Sequence, residues 1–151
     1  MRRLLPIIIV SLLVFSCPVT MAVADEYMLW KSESLAIGNA LGGLKGNPQR
    51  GRAIVIAPDK GSCLTCHHMP IDEEKFHGTV GPDLTAIASR LTEGEIRLRI
   101  VDEKVINPNT VMPGYYRDPA KFNQVADEYS GKTFLTAQEV EDVIAYLMTL
   151  K

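Results

Sequence analysis

Apolar positions recur at helical spacing in three stretches of the chain. After Thr136-Ala137-Gln138-Glu139, residues Val140, Val143, Ile144, Leu147 and Met148 fall on one face, which predicts a helix over 139–150. Thr136 and Glu139 stand at the spacing of a capping box, in which each side chain satisfies a backbone N–H of the other's residue. Thr92-Glu93-Gly94-Glu95 repeats that signal ahead of Ile96, Ile100 and Val101. A third helix is expected over 48–57, with Arg50 and Arg52 outward and Ile54 inward. Within it, Gly51 would let the backbone approach the terminal helix closely near Tyr146. Gly81-Pro82-Asp83-Leu84 reads as a turn followed by a helix through Arg90, and Leu35, Ile37 and Leu41 suit an extra helix. No segment shows four or more clean apolar/polar alternations, so strands are not expected beyond short pieces. Repeats and low-complexity tracts are absent. The expected fold class is all-α.

The start of the chain follows a different pattern. Arg2 and Arg3 precede an uncharged run from Leu4 to Phe15, and the stretch closes on Ala22-Val23-Ala24. A basic start, a short apolar core and a small-x-small site read as a secretory signal peptide over 1–24. The run is shorter than the ~20 residues a membrane span needs. Cleavage after Ala24 would leave 14 basic against 18 acidic residues, a charge of −4, and would remove Cys17. The expected organisation is a signal peptide (1–24), an N-terminal extension (25–47) and one folded domain (48–151), exported and free of the membrane once cleaved.

Length and charge narrow the function. A chain of 151 residues fits a single domain. Aromatics make up 7%, with one Trp, so a large apolar centre would have to come from aliphatic residues or a bound group. The balance is mildly acidic, with a sequence pI near 5.9 and no Lys/Arg stripe, which argues against nucleic-acid binding.

The two remaining cysteines carry most of the chemistry. They stand in Cys63-Leu64-Thr65-Cys66-His67, the C-x-x-C-H pattern of covalent c-type haem attachment. Thiols at this spacing can add to two vinyl groups on one porphyrin edge, and the following imidazole can ligate the iron. A thioredoxin-like redox pair would need no histidine and would sit in a βαβ pattern not seen here. Structural zinc would need four ligands, and there is no second C-x-x-C. A plain disulfide would leave His67 unexplained.

With His67 as one axial ligand, the sequence must offer a second. His68 would point elsewhere, His77 lies in a polar stretch ten positions on, and Met69 is too near to reach the opposite face of a haem. Met28 sits by the mature start, and Met148 falls on a packing face. Met112 lies in Asn107-Pro108-Asn109-Thr110-Val111-Met112-Pro113-Gly114, a proline-bounded loop suited to holding a thioether against iron. Met112 is therefore the expected second ligand. A His/Met pair raises the potential relative to two imidazoles and leaves no open site for oxygen chemistry.

The order of Cys63–His67, Gly81-Pro82-Asp83-Leu84, the Met112 loop and the terminal helix resembles that of class I cytochromes c. The resemblance implies that the Pro82 carbonyl accepts a hydrogen bond from the His67 imidazole and orients it. Four stretches look like the SoxX subfamily in particular: 78–84, 107–113, Gly131-Lys132-Thr133-Phe134-Leu135-Thr136, and 139–147. The similarity spans about 51–151; residues 25–47 add little to it. It implies one covalently attached haem c and a class I cytochrome c fold. It also implies a heterodimer with a SoxA-like partner, dihaem or monohaem, that carries a cysteine-derived haem ligand. That complex would oxidatively couple thiosulfate to a cysteine of a SoxYZ-like carrier protein in the periplasm. Electrons would pass through this chain to a small cytochrome c, with catalysis on the partner. The alternative is a free-standing class I electron shuttle. Asp72, Glu73 and Glu74 suggest a solvated loop more than a docking patch, and Tyr115 and Tyr116 are candidate interface residues.

Overall fold

The computed structural model describes residues 26–121 and 125–151. The proposed signal peptide and its cleavage site lie outside them. Among the described residues there are three α-helices, several single turns of 3₁₀-helix and no β-strand, only an isolated bridge between Glu33 and Ala36. None of these helices is long and apolar enough to cross a membrane.

Helix α1 spans Pro48–Ile56. Its start is fixed by Asn47, whose Oδ1 accepts from the Arg50 N–H at 2.9 Å, and by Pro48, whose missing donor costs nothing in the first turn. Helices α2 (Glu93–Asp102) and α3 (Ala137–Leu147) both open with the expected capping boxes, Thr92/Glu95 and Thr136/Glu139. Helix α3 stops at Leu147, three residues short of the expected end. The chain closes there through hydrogen bonds from Thr149 N to Tyr146 O and Leu150 N to Leu147 O, while Leu150 O accepts from Ala88 N at 2.9 Å.

Helix α1 packs along α3, and Gly51 lies at their closest approach. A Cβ on Gly51 would run into the Asp142 carbonyl and the Val143 N–H, about a turn before Tyr146. Gly46 meets α3 in the same way at Glu141 and Ala145. Helix α2 also packs on α3, and Ile54, Val55, Ile96, Ile100, Val140, Val143, Ile144 and Leu147 form the common core.

Two expected helices are replaced by other structure. Beyond Leu84 the backbone makes only a single 3₁₀ turn, Ile87–Ser89. Ile87 N closes on Leu84 O (3.2 Å) in a 3₁₀ turn, and Ala88 N, which an α-helix would direct to Leu84 O, donates to Leu150 O (2.9 Å). Around Leu35 the chain makes a tight turn with Ser34 and Leu35 in left-handed conformations, leaving Leu35 exposed and burying Ile37 and Leu41. The helical spacing of these three residues records burial of two of them in an irregular segment, capped by a 3₁₀ turn at Leu41–Gly43.

That segment is fastened by buried charge. Glu141, on α3, accepts from Arg97 Nε (2.9 Å), Arg97 Nη2 (3.0 Å) and the Leu41 N–H (2.9 Å). Arg97 also donates to Ile37 O at 2.8 Å and pairs with Glu93. Both Arg97 and Glu141 are almost fully buried. Beside them Asp142 takes Arg50 Nε (2.6 Å) and Nη2 (2.8 Å) together with the Asn47 N–H (2.7 Å). Burial alone would raise the Asp142 pKa, but the Arg50 guanidinium, the Asn47 N–H and the Gln138 amide together hold it below the usual value. Arg50 thus lies at the surface as expected, yet its head group closes over a buried carboxylate. Glu141→Ala should cost about 3–5 kcal/mol, because it leaves the Arg97 charge buried with only a surface carboxylate beside it. Chemical denaturation of the haem-loaded protein checks this; a loss below about 1 kcal/mol would mean the pair is not a clasp.

Candidate haem site

Residues 63–67 form one tight turn. Ser62 enters it in a left-handed conformation (φ 45°), and Cys63 O then accepts from both Cys66 N (3.1 Å) and His67 N (2.9 Å). The turn brings Cys63, Cys66 and His67 onto the wall of one cavity of about 260 Å³. Cys63 and Cys66 are not joined to each other, and burial pushes the Cys63 thiol up to about 12.

The segment 78–82 lies against this turn. Gly78 N donates to Leu64 O (2.7 Å) and Gly81 N to Cys66 O (2.8 Å). A Cβ on Gly78 would strike the Thr65 carbonyl, and one on Gly81 would strike the His67 ring. These glycines permit the approach that puts the Pro82 carbonyl 2.7 Å from His67 Nδ1. Nδ1 then carries the proton and donates it to the carbonyl, which leaves the Nε2 lone pair free for a metal.

The Met112 loop lines the same cavity. Its shape comes from short local bonds: Thr110 N to Asn107 O (3.1 Å), Asn109 N to Asn107 Oδ1 (3.1 Å) and Met112 N to Thr110 Oγ1 (3.1 Å). The rest of the lining is mainly apolar, with Ile96, Ile100, Leu135, Val143 and Leu147 drawn from the core. Arg99 and Glu103 add a charged pair 3.8 Å apart, and burial raises the Glu103 carboxyl.

The other candidates fall differently. His68 is exposed and pairs with Asp83 at 3.0 Å, and His77 accepts from the Met69 N–H at 3.2 Å; neither lines this cavity. Met28 packs against Gly42, and Met148 packs against the core. Met69, set aside as too near in sequence, does line the cavity and is fully buried. Glu73 of the acidic triplet pairs with Arg52, so that loop is not a free acidic patch. Tyr116 is buried, stacked on Tyr27 with centroids 5.2 Å apart, and its hydroxyl accepts from Met28 N at 2.8 Å; it is not an interface residue. The roles of Gly78 and Gly81 were missed by sequence reasoning, although Gly81 opens the quoted turn and Gly78 stands three residues before it.

Paired thiols and an imidazole on the wall of an apolar cavity that also holds a thioether are a donor set that fits haem c. Residues 48–151 match the cytochrome c family model, and the chain belongs to the cytochrome c family, whose members carry covalently bound haem c. No curated protein sequence matches the chain. A chain in the crystal structure of SoxXA from P. pantotrophus is 32% identical, superposes with a TM-score of 0.73, and is matched over 81% of this chain and 94% of its own length. This chain is a SoxX-like electron-transfer cytochrome with the mostly helical class I fold.

Proposed function

We propose that the chain is the monohaem electron-transfer subunit of a periplasmic complex with a SoxA-like cytochrome that couples thiosulfate to a cysteine of a SoxYZ-like carrier. The observation that carries its electron-transfer part is the cavity shared by Cys63, Cys66, His67 and Met112, with His67 fixed by Pro82, and the likeness to a chain of SoxXA supports the rest. Cys63 and Cys66 would hold haem c by thioether bonds, and His67 and Met112 would be its axial ligands. Haem c bound there would supply a one-electron Fe(II)/Fe(III) couple with no position left for substrate. The Pro82 carbonyl fixes the His67 tautomer and ring plane, and the apolar lining excludes water from the iron's surroundings.

Joining thiosulfate to a cysteine thiolate forms one S–S bond and releases two electrons. The partner would catalyse that step, and this chain would relay the electrons singly to a small cytochrome c. Both cysteines of the described chain are committed to the haem site, so it offers no thiol nucleophile of its own. A permanent partner, as opposed to a free shuttle, is supported by the 32% identity, over 94% of its length, to a chain of the SoxXA complex. Gel filtration of a native periplasmic extract, with haem staining of each fraction on a denaturing gel, tests the reading. Co-elution with a second haem-stained polypeptide is expected; elution as a single chain would favour the shuttle.

A further inference from the structure

Tyr115 ties the loop of the second ligand to the loop that leads into the haem-attachment turn. It follows Met112 by three residues, and both of its backbone groups are committed: Tyr115 N donates to Ile100 O at 3.0 Å, and Tyr115 O accepts from Leu135 N at 3.0 Å. Its ring lines the cavity, and its hydroxyl donates to Gly61 O at 2.8 Å, two residues before Cys63. The seam is tight there, since a Cβ on Gly61 would lie 3.1 Å from both Cys63 Sγ and Ile54 O. Little slack separates the anchor from the ligand. Pro113 has a fixed φ, and Gly114 is buried where a Cβ would strike the Arg117 side chain. Burial holds the Tyr115 phenol above its ordinary pKa, so it stays a donor through neutral and mildly alkaline conditions.

We propose that Tyr115 is a positioning residue: its hydrogen bond to Gly61 locks the Met112 loop against the Cys63 turn and keeps Met112 from leaving the iron. The inference rests on Met112 being the second axial ligand. Removing the hydroxyl leaves the Gly61 carbonyl without this donor and frees the loop on the side nearest the ligand.

The test uses the haem-loaded protein and the variants Tyr115→Phe, Tyr116→Phe and Met112→Ala. Oxidised Tyr115→Phe should bind cyanide about tenfold faster than wild type, and should lose its thioether–iron absorption band at a lower pH. Tyr116→Phe loses a buried hydroxyl bonded to Met28, away from the ligand loop. It should lower the thermal midpoint without changing the cyanide rate. If both tyrosine variants bind cyanide alike, or if Tyr115→Phe matches wild type while Met112→Ala loses the band, the positioning role is overturned. A band retained in Met112→Ala would instead overturn the ligand assignment. If Tyr115→Phe cannot be recovered with haem, 3-fluorotyrosine at this position supplies a nearly isosteric, stronger donor. Cyanide binding should then slow, and an unchanged rate would contradict the proposal.

Discussion

Protein carrying Cys63→Ala and Cys66→Ala, made without attached haem, is expected to be largely unfolded at 25 °C. The reason lies in how the cavity is built. Ile96, Ile100, Leu135, Val143 and Leu147 belong at once to its wall and to the one hydrophobic core of the domain. Left empty, a cavity of about 260 Å³ in such a core would cost up to roughly 6 kcal/mol at about 24 cal/mol per Å³. That is comparable to the whole stability of a small domain, about 5–15 kcal/mol. The turn 63–67 and the Met112 loop would also lose the group they enclose. Far-UV circular dichroism and thermal melting decide the matter. A native helical spectrum with a sharp transition in the double variant would show that the three helices suffice without haem.

The second large effect is spectroscopic. Met112→Ala should abolish the thioether–iron absorption band at the red end of the oxidised spectrum and lower the reduction potential, since a thioether ligand raises it. Because Met69 lines the same cavity, Met69→Leu is the necessary comparison. A volume-conserving change at a fully buried site should cost under about 1.5 kcal/mol and keep the band. The reverse outcome, a band lost with Met69 and kept without Met112, would reassign the ligand.

Where local chemistry decides structure, the sequence was sufficient. Thr92/Glu95 and Thr136/Glu139 place two helix starts because a cap is satisfied within three residues, and the Asn47 cap of the first helix, not singled out in the sequence, works in the same way. The haem turn and the Met112 loop were legible for the same reason, and the cavity brings His67, Pro82 and Met112 together. What was not legible depends on partners distant in the chain. Glu141 and Asp142 follow the helix period of surface acids, yet they are buried against Arg97 and against Asn47 and Arg50. Their enclosure by Val140, Val143 and Ile144, and that of Arg97 by Ile96 and Leu98, was the available sign. Glycines 46, 51, 78 and 81 mark places where backbone meets backbone or an imidazole, and only Gly51 announced this through its place in a helix. The helix expected after Leu84 failed because Ala88 N, its first i→i−4 donor, is taken by Leu150 O, 62 residues on.

Under the proposed function, this chain receives electrons from sulfur chemistry performed on its partner. The most direct measurement is the absorbance of its haem after oxidised chain, SoxA-like partner and SoxYZ-like carrier are mixed with thiosulfate. Reduction that needs all three components, and that stops when the carrier cysteine is blocked, is the expected result. A haem that stays oxidised in the complete mixture, while ascorbate still reduces it, would contradict the claim.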